Sequence, residues 1–91
     1  MNLQIEHLRE RSRFQVVVDG QHCIADYRLA DGVMAITHTE VATGLEGRGI
    51  AGALMQAVLD HAQAHGLKVQ PLCSYAVAYM RRHPESAALL A

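Results

Sequence analysis

The hydrophobic period of this chain changes at a glycine-rich segment in its middle, residues 44–52. Before that segment, apolar and polar residues alternate, and the tight-turn pairs Asp19-Gly20 and Asp31-Gly32 divide the alternation into three runs. After it, apolar residues recur every three or four positions, which is the pattern of one helix face. This order predicts strands first and a long helix second, joined by a glycine-rich turn.

The first half of the chain predicts an antiparallel meander, because short Asp-Gly turns join neighbouring strands into hairpins. We expect strands at Phe14–Val18, Gln21–Leu29 and Val33–Val41, with a short additional edge strand near Leu3–His7. The third of these strands leads directly into the glycine-rich segment. Residues at its end are therefore expected to lie beside that segment.

The second half predicts helices around one more strand. We expect a helix at Arg48–His65 with Gly66 as its C-terminal cap, a strand at Leu67–Leu72, a helix at Tyr75–Arg82 capped by Ser74, and a last turn at Glu85–Leu90. A strand that returns after a helical crossover lies parallel to the strand before the helix. The predicted fold class is therefore α+β, a mixed sheet with a long helix packed on it and short helices at the C-terminal end.

Composition limits the classes of function. The chain has 91 residues, which predicts one domain spanning residues 1–91. Its formal net charge is -1, so it has no basic excess to follow a phosphate backbone, and nucleic acid is not an expected partner. It has neither an apolar run as long as a membrane span nor a secretory leader pattern. We expect a cytoplasmic protein that binds no membrane. Reduced thiols are the simpler interpretation of Cys23 and Cys73, and a single disulfide between them is the alternative.

The glycine-rich segment predicts a site for an anionic group. A helix start presents free backbone N–H groups and the positive end of the helix dipole, and glycines let a phosphate approach them closely. No Gly-Lys-Ser/Thr follows, so the segment is not a P-loop. Gly47, Gly49 and Gly52 match the dinucleotide-binding spacing locally, but antiparallel strands precede them and no acidic residue ends the next strand. The remaining alternative is that these glycines only form a tight turn.

Several motifs resemble the GNAT superfamily of N-acetyltransferases. Glu46-Gly47-Arg48-Gly49-Ile50-Ala51 is similar to the pyrophosphate loop of that family, Gln/Arg-x-x-Gly-x-Gly/Ala, although Glu46 stands where the family has Gln or Arg. Three further motifs, one before this loop and two after it, occur in the order found in a subfamily of very small GNAT-like proteins. They are His38-Thr39-Glu40-Val41, Cys73-Ser74-Tyr75 with Tyr79, and His83-Pro84-Glu85. The resemblance extends from Val16 to Glu85.

The resemblance implies a minimal GNAT-like fold that uses acetyl-CoA, or another acyl-CoA, as its cofactor. The residues it implies for cofactor binding are Val41, Glu46, Gly47, Arg48, Gly49, Ile50 and Ala51. It implies acetyl transfer to an amine of a protein, a peptide or a small molecule, at an open and shallow acceptor site, by a monomer or weak homodimer. The alternatives are a non-catalytic module that binds acetyl-CoA or CoA, and an interaction domain without a ligand.

Two residues are candidates for the sulfur end of such a cofactor. Cys73 precedes a predicted helix whose dipole favours the thiolate, so it is either a nucleophile or a small core residue. The resemblance places Tyr79 where a hydroxyl protonates the departing CoA thiolate, and Tyr75 is the alternative for that role. For both tyrosines, aromatic packing under the helix is the competing interpretation.

Two residues at the end of the third strand are candidates for the amine end. By period-two alternation, His38 and Glu40 are expected to share a face with Met34 and Ile36. Either His38 or Glu40 is suited to take a proton from an amine, directly or through water. The alternative is a structural pair at the end of a strand.

The remaining polar clusters predict surface rather than chemistry. His61 and His65 have the spacing of a helical metal-ligand pair, but no third ligand is evident, so we expect solvated side chains and no metal. Arg81-Arg82-His83 is either a contact for the adenosine phosphate of CoA or a solvated helix face.

Overall fold

The computed structural model describes residues 2–91, which form five strands and two α-helices. The strands are β1 (Glu6–Leu8), β2 (Arg13–Val18), β3 (Gln21–Ala30), β4 (Val33–Glu40) and β5 (Lys68–Pro71). The helices are α1 (Ile50–Ala64) and α2 (Ser74–Arg82), and 3₁₀ helices span Arg9–Arg11 and Pro84–Leu89. No helix within the described residues is long and apolar enough to cross a membrane.

The strands form one mixed sheet in the spatial order β1-β2-β3-β4-β5. Neighbouring strands from β1 to β4 are antiparallel, and β5 runs parallel to β4 after the crossover through α1. Asp19-Gly20 and Asp31-Gly32 turn the two hairpins with positive φ at all four residues, as the Asp-Gly signals predict. The arrangement confirms the predicted α+β fold class.

One face of the sheet is buried against α1. Apolar residues of β2, β3 and β4 and of one helix face belong to a single cluster with little or no exposure, which includes Val16, Ile36, Leu54, Met55 and Val58. Cys23 is fully buried in the same cluster, and both cysteines are free. This packing fixes the first turn of α1 next to the end of β4.

The C-terminal end of α1 is closed as the sequence predicts. Gly66 has a left-handed φ of 66°. The N–H of Leu67 donates to the carbonyl of Ala62 at 2.9 Å, and the N–H of Gly66 donates to that of Gln63 at 3.4 Å. These two bonds form a Schellman motif, which satisfies the last carbonyls of the helix.

The N-terminal ends of both helices differ from the prediction. Helix α1 begins at Ile50 rather than at Arg48, because Gly49 has a φ of 78° and belongs to the preceding turn. Helix α2 is capped by Cys73 rather than by Ser74, which is its first helical residue. The Sγ atom of Cys73 accepts the N–H of Ala76 at 3.4 Å.

Strand β4 contains a bulge. Ile36 pairs with Tyr27 of β3 and His38 pairs with Asp26, so Thr37 is an extra residue between the two pairs. The hydroxyl of Thr37 donates to the carbonyl of Asp26 at 3.3 Å, which holds the bulge against β3.

The bulge reverses the alternation of side chains in the last part of β4. Thr39 lies on the face that α1 covers, and His38 and Glu40 lie on the opposite face. The prediction that His38 and Glu40 share a face with Met34 and Ile36 is therefore wrong. Simple alternation fails here because one inserted residue exchanges the two faces of everything that follows.

Three histidines form a cluster with Phe14 and Tyr27 at the edge of the sheet. The ring of His7 stacks on Phe14 with centroids 4.0 Å apart, and its Nε2 lies 2.6 Å from the Tyr27 hydroxyl. His61 meets the His7 ring at 4.5 Å and stacks on His65 at 4.1 Å. His61 is thus half-buried, not the solvated residue expected from its spacing. Among residues 2–91, no three His, Cys, Asp or Glu side chains are arranged to hold a metal ion.

The cluster predicts that the free energy of unfolding falls as the pH decreases below about 6.5. Burial, followed by the charges of His61, Arg9 and His65, lowers the pKa of His7 from 6.5, against a smaller opposing effect of Glu10. Burial, followed by His65, likewise lowers the pKa of His61. In acid the unfolded chain therefore binds more protons than the folded one, so the contribution of these two histidines to the free energy of unfolding is fully present above about 6.5 and is lost as the pH falls below it. Urea denaturation across this pH range measures the effect.

Two variants test the origin of this pH dependence. His7→Phe keeps a ring on Phe14 but removes one titrating group, so it is expected to flatten the dependence. His22→Gln is the control, since His22 is exposed on β3 outside the cluster, and it should behave as the wild type does. An unchanged slope in His7→Phe would contradict the prediction.

Candidate functional site

Strands β4 and β5 separate partway along β4. Their pairing ends at Ile36 and Pro71. The carbonyl of Ile36 then accepts the N–H groups of both Leu72, at 3.0 Å, and Cys73, at 3.2 Å, and the chain leaves the sheet toward α2. Strand β4 continues to Glu40, and within the described chain its residues 37–40 pair with no strand on the β5 side. An edge of unpaired backbone groups results.

A cleft of about 450 Å³ lies beside this edge. It is bounded by the end of β4, the glycine-rich loop, the first turn of α1 and one side chain of α2. The lining residues are Thr39, Glu40, Val41, Leu45, Glu46, Gly47, Gly49, Ile50, Ala51, Gly52 and Tyr75. Leu45 is 2% exposed and anchors the loop in the core, and its N–H donates to the carbonyl of Ala42 at 3.0 Å.

The first turn of α1 presents the positive end of the helix dipole to the cleft. Gly49 caps the helix without a side-chain acceptor, and no acidic residue lies in the first turn. The first helical bond runs from the N–H of Ala53 to the carbonyl of Gly49. The N–H groups of Ile50, Ala51 and Gly52 precede it and remain outside the helical ladder. Such a terminus is suited to an anionic group.

Six of the seven residues predicted to bind the cofactor line the cleft, and one does not. Those in the cleft are Val41, Glu46, Gly47, Gly49, Ile50 and Ala51. Arg48 instead donates through Nη1 to Oδ2 of Asp19 at 3.1 Å, in the turn between β2 and β3. Its expected place in the first helical turn is wrong, because the helix begins two residues later.

Glu46 uses its carboxylate within the loop. Its Oε1 accepts the N–H of Gly44 at 3.0 Å, and the side chain is exposed. This bond holds the Glu46 carboxylate toward the start of the loop, at the position where the resemblance predicts Gln or Arg. The loop nevertheless carries a negative charge at the rim of the cleft.

The two tyrosines of α2 have different surroundings. Tyr79 is 6% exposed, lies outside the cleft lining, and donates its hydroxyl to Oε1 of Gln56 at 2.9 Å. Burial, followed by Tyr75 and Glu85, raises the pKa of Tyr79. Tyr75 is half-buried and lines the cleft. The tyrosine that the resemblance favours is therefore not the one that the structure places at the cleft.

Cys73 is not among the residues that line the cleft. Its Sγ accepts the N–H of Ala76 and lies 3.8 Å from Oγ1 of Thr39, which does line the cleft. The sequence predicts that Cys73 precedes a helix, but it predicts neither that Cys73 itself is the cap nor that its thiol contacts Thr39.

His38 and Glu40 form an exposed pair on the far face of the sheet. The Nε2 of His38 lies 3.2 Å from Oε1 of Glu40, and their side chains are 56% and 64% exposed. Glu40 also borders the cleft, and His38 does not. Arg81 and Arg82 are exposed in the last turn of α2, while His83 stacks on the ring of Tyr79.

Sequence reasoning missed Thr39, Leu45 and Gly52 as cleft residues. Leu45 carried a usable signal, because a lone leucine in a loop of small and polar residues is an anchor. Gly52 also carried one, since it lies one turn from the helix start. No local signal predicted Thr39, because the bulge at Thr37 determines which face of the sheet its side chain lies on.

Two glycines at the cleft predict substitution effects of opposite sign. Gly49→Ala is expected to lower the free energy of unfolding by about 1–2 kcal/mol, because an L residue is strained at φ 78°. Gly52→Ala is expected to raise it by about 0.5–1 kcal/mol, since alanine is the better helix residue. A Cβ at Gly52 meets Tyr79 Cε2 at 3.6 Å and the Tyr75 hydroxyl at 3.7 Å, which are ordinary contacts. Urea denaturation of the two variants checks both signs, and a destabilised Gly52→Ala would contradict this packing.

Comparisons with known proteins agree on one family. The family model for the GCN5-related N-acetyl-transferase matches residues 13–89. Protein NATD1 of Gallus gallus is 34% identical over 86 residues, covering 90% of this chain and 77% of that protein. Protein NATD1 of Mus musculus is 33% identical with the same coverage. The solution NMR structure of a GCN5-like protein from Staphylococcus aureus superposes with a TM-score of 0.78 at 27% identity, over 99% of this chain and 89% of that one.

Proposed function

Because this chain belongs to the GCN5-related N-acetyl-transferase family, we propose that it transfers an acetyl group from acetyl-CoA to an amine. Acetyl-CoA is the donor typical of the family. The observation that carries the proposal is the cleft, where an uncapped helix terminus and an unpaired strand edge meet. The two features suit the two ends of an acyl-CoA, a pyrophosphate and an amide-containing arm.

In this proposal the pyrophosphate lies at the first turn of α1. The N–H groups of Ile50, Ala51 and Gly52 are the donors, and the absence of a Cβ at Gly47 and Gly49 allows close approach. The pantetheine arm contains amides, which can bond to the unpaired backbone of β4 as an added strand does. Apolar contact with the pantetheine arm comes from three residues of the cleft lining, Val41, Leu45 and Ile50.

The proposed chemistry is direct attack by the amine on the thioester carbonyl. The new C–N bond forms, the C–S bond breaks, and the amine loses a proton while the sulfur gains one. In this proposal Glu40, which borders the cleft and pairs with His38, takes the amine proton, directly or through water. Since both side chains are exposed, the acceptor is an amine that approaches from solvent.

We assign the proton donor for the sulfur to Tyr75 rather than Tyr79. Tyr75 lines the cleft, whereas the hydroxyl proton of Tyr79 is committed to Gln56. The raised pKa of Tyr79 also makes it a weaker acid. Cys73 is a weaker candidate for covalent catalysis, because Thr39 separates its thiol from the cleft.

A second candidate function is a module that binds acetyl-CoA without catalysis, and the observation that favours it is that Glu46 departs from the Gln or Arg of the family's pyrophosphate loop. An acid at the rim repels a pyrophosphate, so Glu46→Gln is expected to tighten binding of acetyl-CoA by about tenfold, which is roughly 1.4 kcal/mol. Isothermal titration calorimetry measures the change. Glu85→Gln, an exposed acid outside the cleft lining, is the matched control and should leave the affinity unchanged. Weaker binding by Glu46→Gln would mean that the bond to Gly44 matters more than the charge.

An amide NMR titration with acetyl-CoA, compared with free CoA, tests the proposed function. Saturable shifts at residues 47–52 are expected with both ligands, and shifts near Thr39 and Tyr75 that depend on the acetyl group are expected with acetyl-CoA. Single-turnover transfer to a panel of amines then separates enzyme from binding module. The absence of any shift at millimolar ligand would overturn both functions.

A further inference from the structure

A contact between side chains of two elements lies beside the cleft, at its lining residue Thr39. Oγ1 of Thr39, near the end of β4, lies 3.8 Å from Sγ of Cys73, the cap of α2. Thr39 lines the cleft, and Cys73 does not. The contact crosses the gap that opens where β4 and β5 separate.

Local structure holds both side chains in place. The bulge at Thr37 turns Thr39 toward the helix side of the sheet. On the other side, the N–H of Cys73 donates to Ile36 and its Sγ accepts the N–H of Ala76. Moving Cys73 aside would therefore disturb the cap of α2 and the last bonds between β4 and β5.

A thioester bound along the unpaired edge of β4 would direct its acyl group toward this contact. The pyrophosphate end is fixed near Ile50, and the edge runs from Val41 back toward Ile36, where the two strands join. Along that path Thr39 is the lining residue nearest to Ile36. A longer acyl chain would have to part Thr39 from Cys73 to find room.

We propose that the Thr39–Cys73 contact limits the acyl group to acetyl, with Thr39 as the residue that determines donor specificity. This inference rests on the proposed function, since it concerns the same cleft. It adds which acyl-CoA is accepted and which side chain rejects the longer ones. The rejection is steric, so it depends on the volume of the side chain and not on its hydroxyl.

Calorimetric titration with acetyl-CoA, propionyl-CoA, butyryl-CoA and free CoA tests the proposal. We expect the wild-type protein to bind acetyl-CoA at least about tenfold more tightly than butyryl-CoA, because surplus methylenes in a closed pocket cost roughly this much or more. Thr39→Ala opens space at the contact and is expected to reduce that ratio to about threefold or less.

Two control variants separate size from polarity and from loop effects. Thr39→Val keeps the volume and removes the hydroxyl, so it should discriminate as the wild type does. Thr43→Ala removes an exposed threonine of the loop outside the cleft lining and should also leave the ratio unchanged. Thermal unfolding of each variant confirms that the compared proteins are folded.

The outcomes distinguish this inference from the function on which it rests. Equal affinities of the wild type for acetyl-CoA and butyryl-CoA, or an unchanged ratio in Thr39→Ala, would overturn the specificity role and leave CoA binding intact. Loss of discrimination in Thr39→Val would show that the hydroxyl acts instead of the volume, which also overturns the proposal. Failure of all four ligands to bind would overturn the function and the inference together.

Discussion

Ala51→Asp is expected to weaken binding of acetyl-CoA at least about 100-fold while leaving the protein folded. Ala51 lies in the first turn of α1 and lines the cleft. A carboxylate there would stand beside the proposed pyrophosphate, and two like charges about 4 Å apart repel by about 4 kcal/mol in the surroundings of a protein surface. The same acid interacts favourably with the helix dipole, by about 0.3–1 kcal/mol.

The variant is therefore expected to bind acetyl-CoA more weakly but to be no less stable, so a loss of binding cannot be attributed to unfolding. Calorimetry with acetyl-CoA measures the affinity, and thermal unfolding without ligand measures the stability. Ala51→Ser is the matched control, because serine is small and neutral at the same position. Normal binding by Ala51→Asp would place the phosphates elsewhere and remove the main support for the proposed function.

Tyr75→Phe is expected to lower kcat by about 100-fold or more, because a positioned general acid contributes roughly that much to a proton transfer. Its affinity for acetyl-CoA should change little, since the ring that lines the cleft remains. Stopped-flow detection of free CoA, after mixing with acetyl-CoA and an accepted amine, measures the rate.

Tyr79→Phe is the matched variant on the same helix. It removes the bond to Gln56, so it should lower the free energy of unfolding by about 0.5–1.5 kcal/mol and leave kcat unchanged. The reverse pattern, a slow Tyr79→Phe and a fast Tyr75→Phe, would reassign the proton donor to Tyr79.

The order and type of the elements were predictable from local signals. Alternation, Asp-Gly pairs and the helical stripe each act over a few residues, and the structure has the expected strands and helices with small differences at their ends. Gly66 shows how specific such a signal can be. A glycine directly after a helical pattern predicts a left-handed C-terminal cap, and this prediction needs almost no information from the rest of the chain.

The orientation of the site residues was not predictable in the same way. The bulge at Thr37 depends on the register in which β4 pairs with β3, and the residues around Thr37 do not by themselves determine that register. The ion pair of Arg48 with Asp19 joins two turns that are distant in the chain. Tyr75 and Tyr79 lie on one short helix, and only the position of α1 decides which of them reaches the cleft.

In the proposed complex, the unpaired edge of β4 would separate binding of the cofactor from selection of the acceptor. Main-chain N–H and C=O groups are the same for every residue except proline, so a ligand held by them is indifferent to which side chains the strand carries. In the proposed complex, His38 and Glu40 can therefore change with the acceptor while the grip on acetyl-CoA persists.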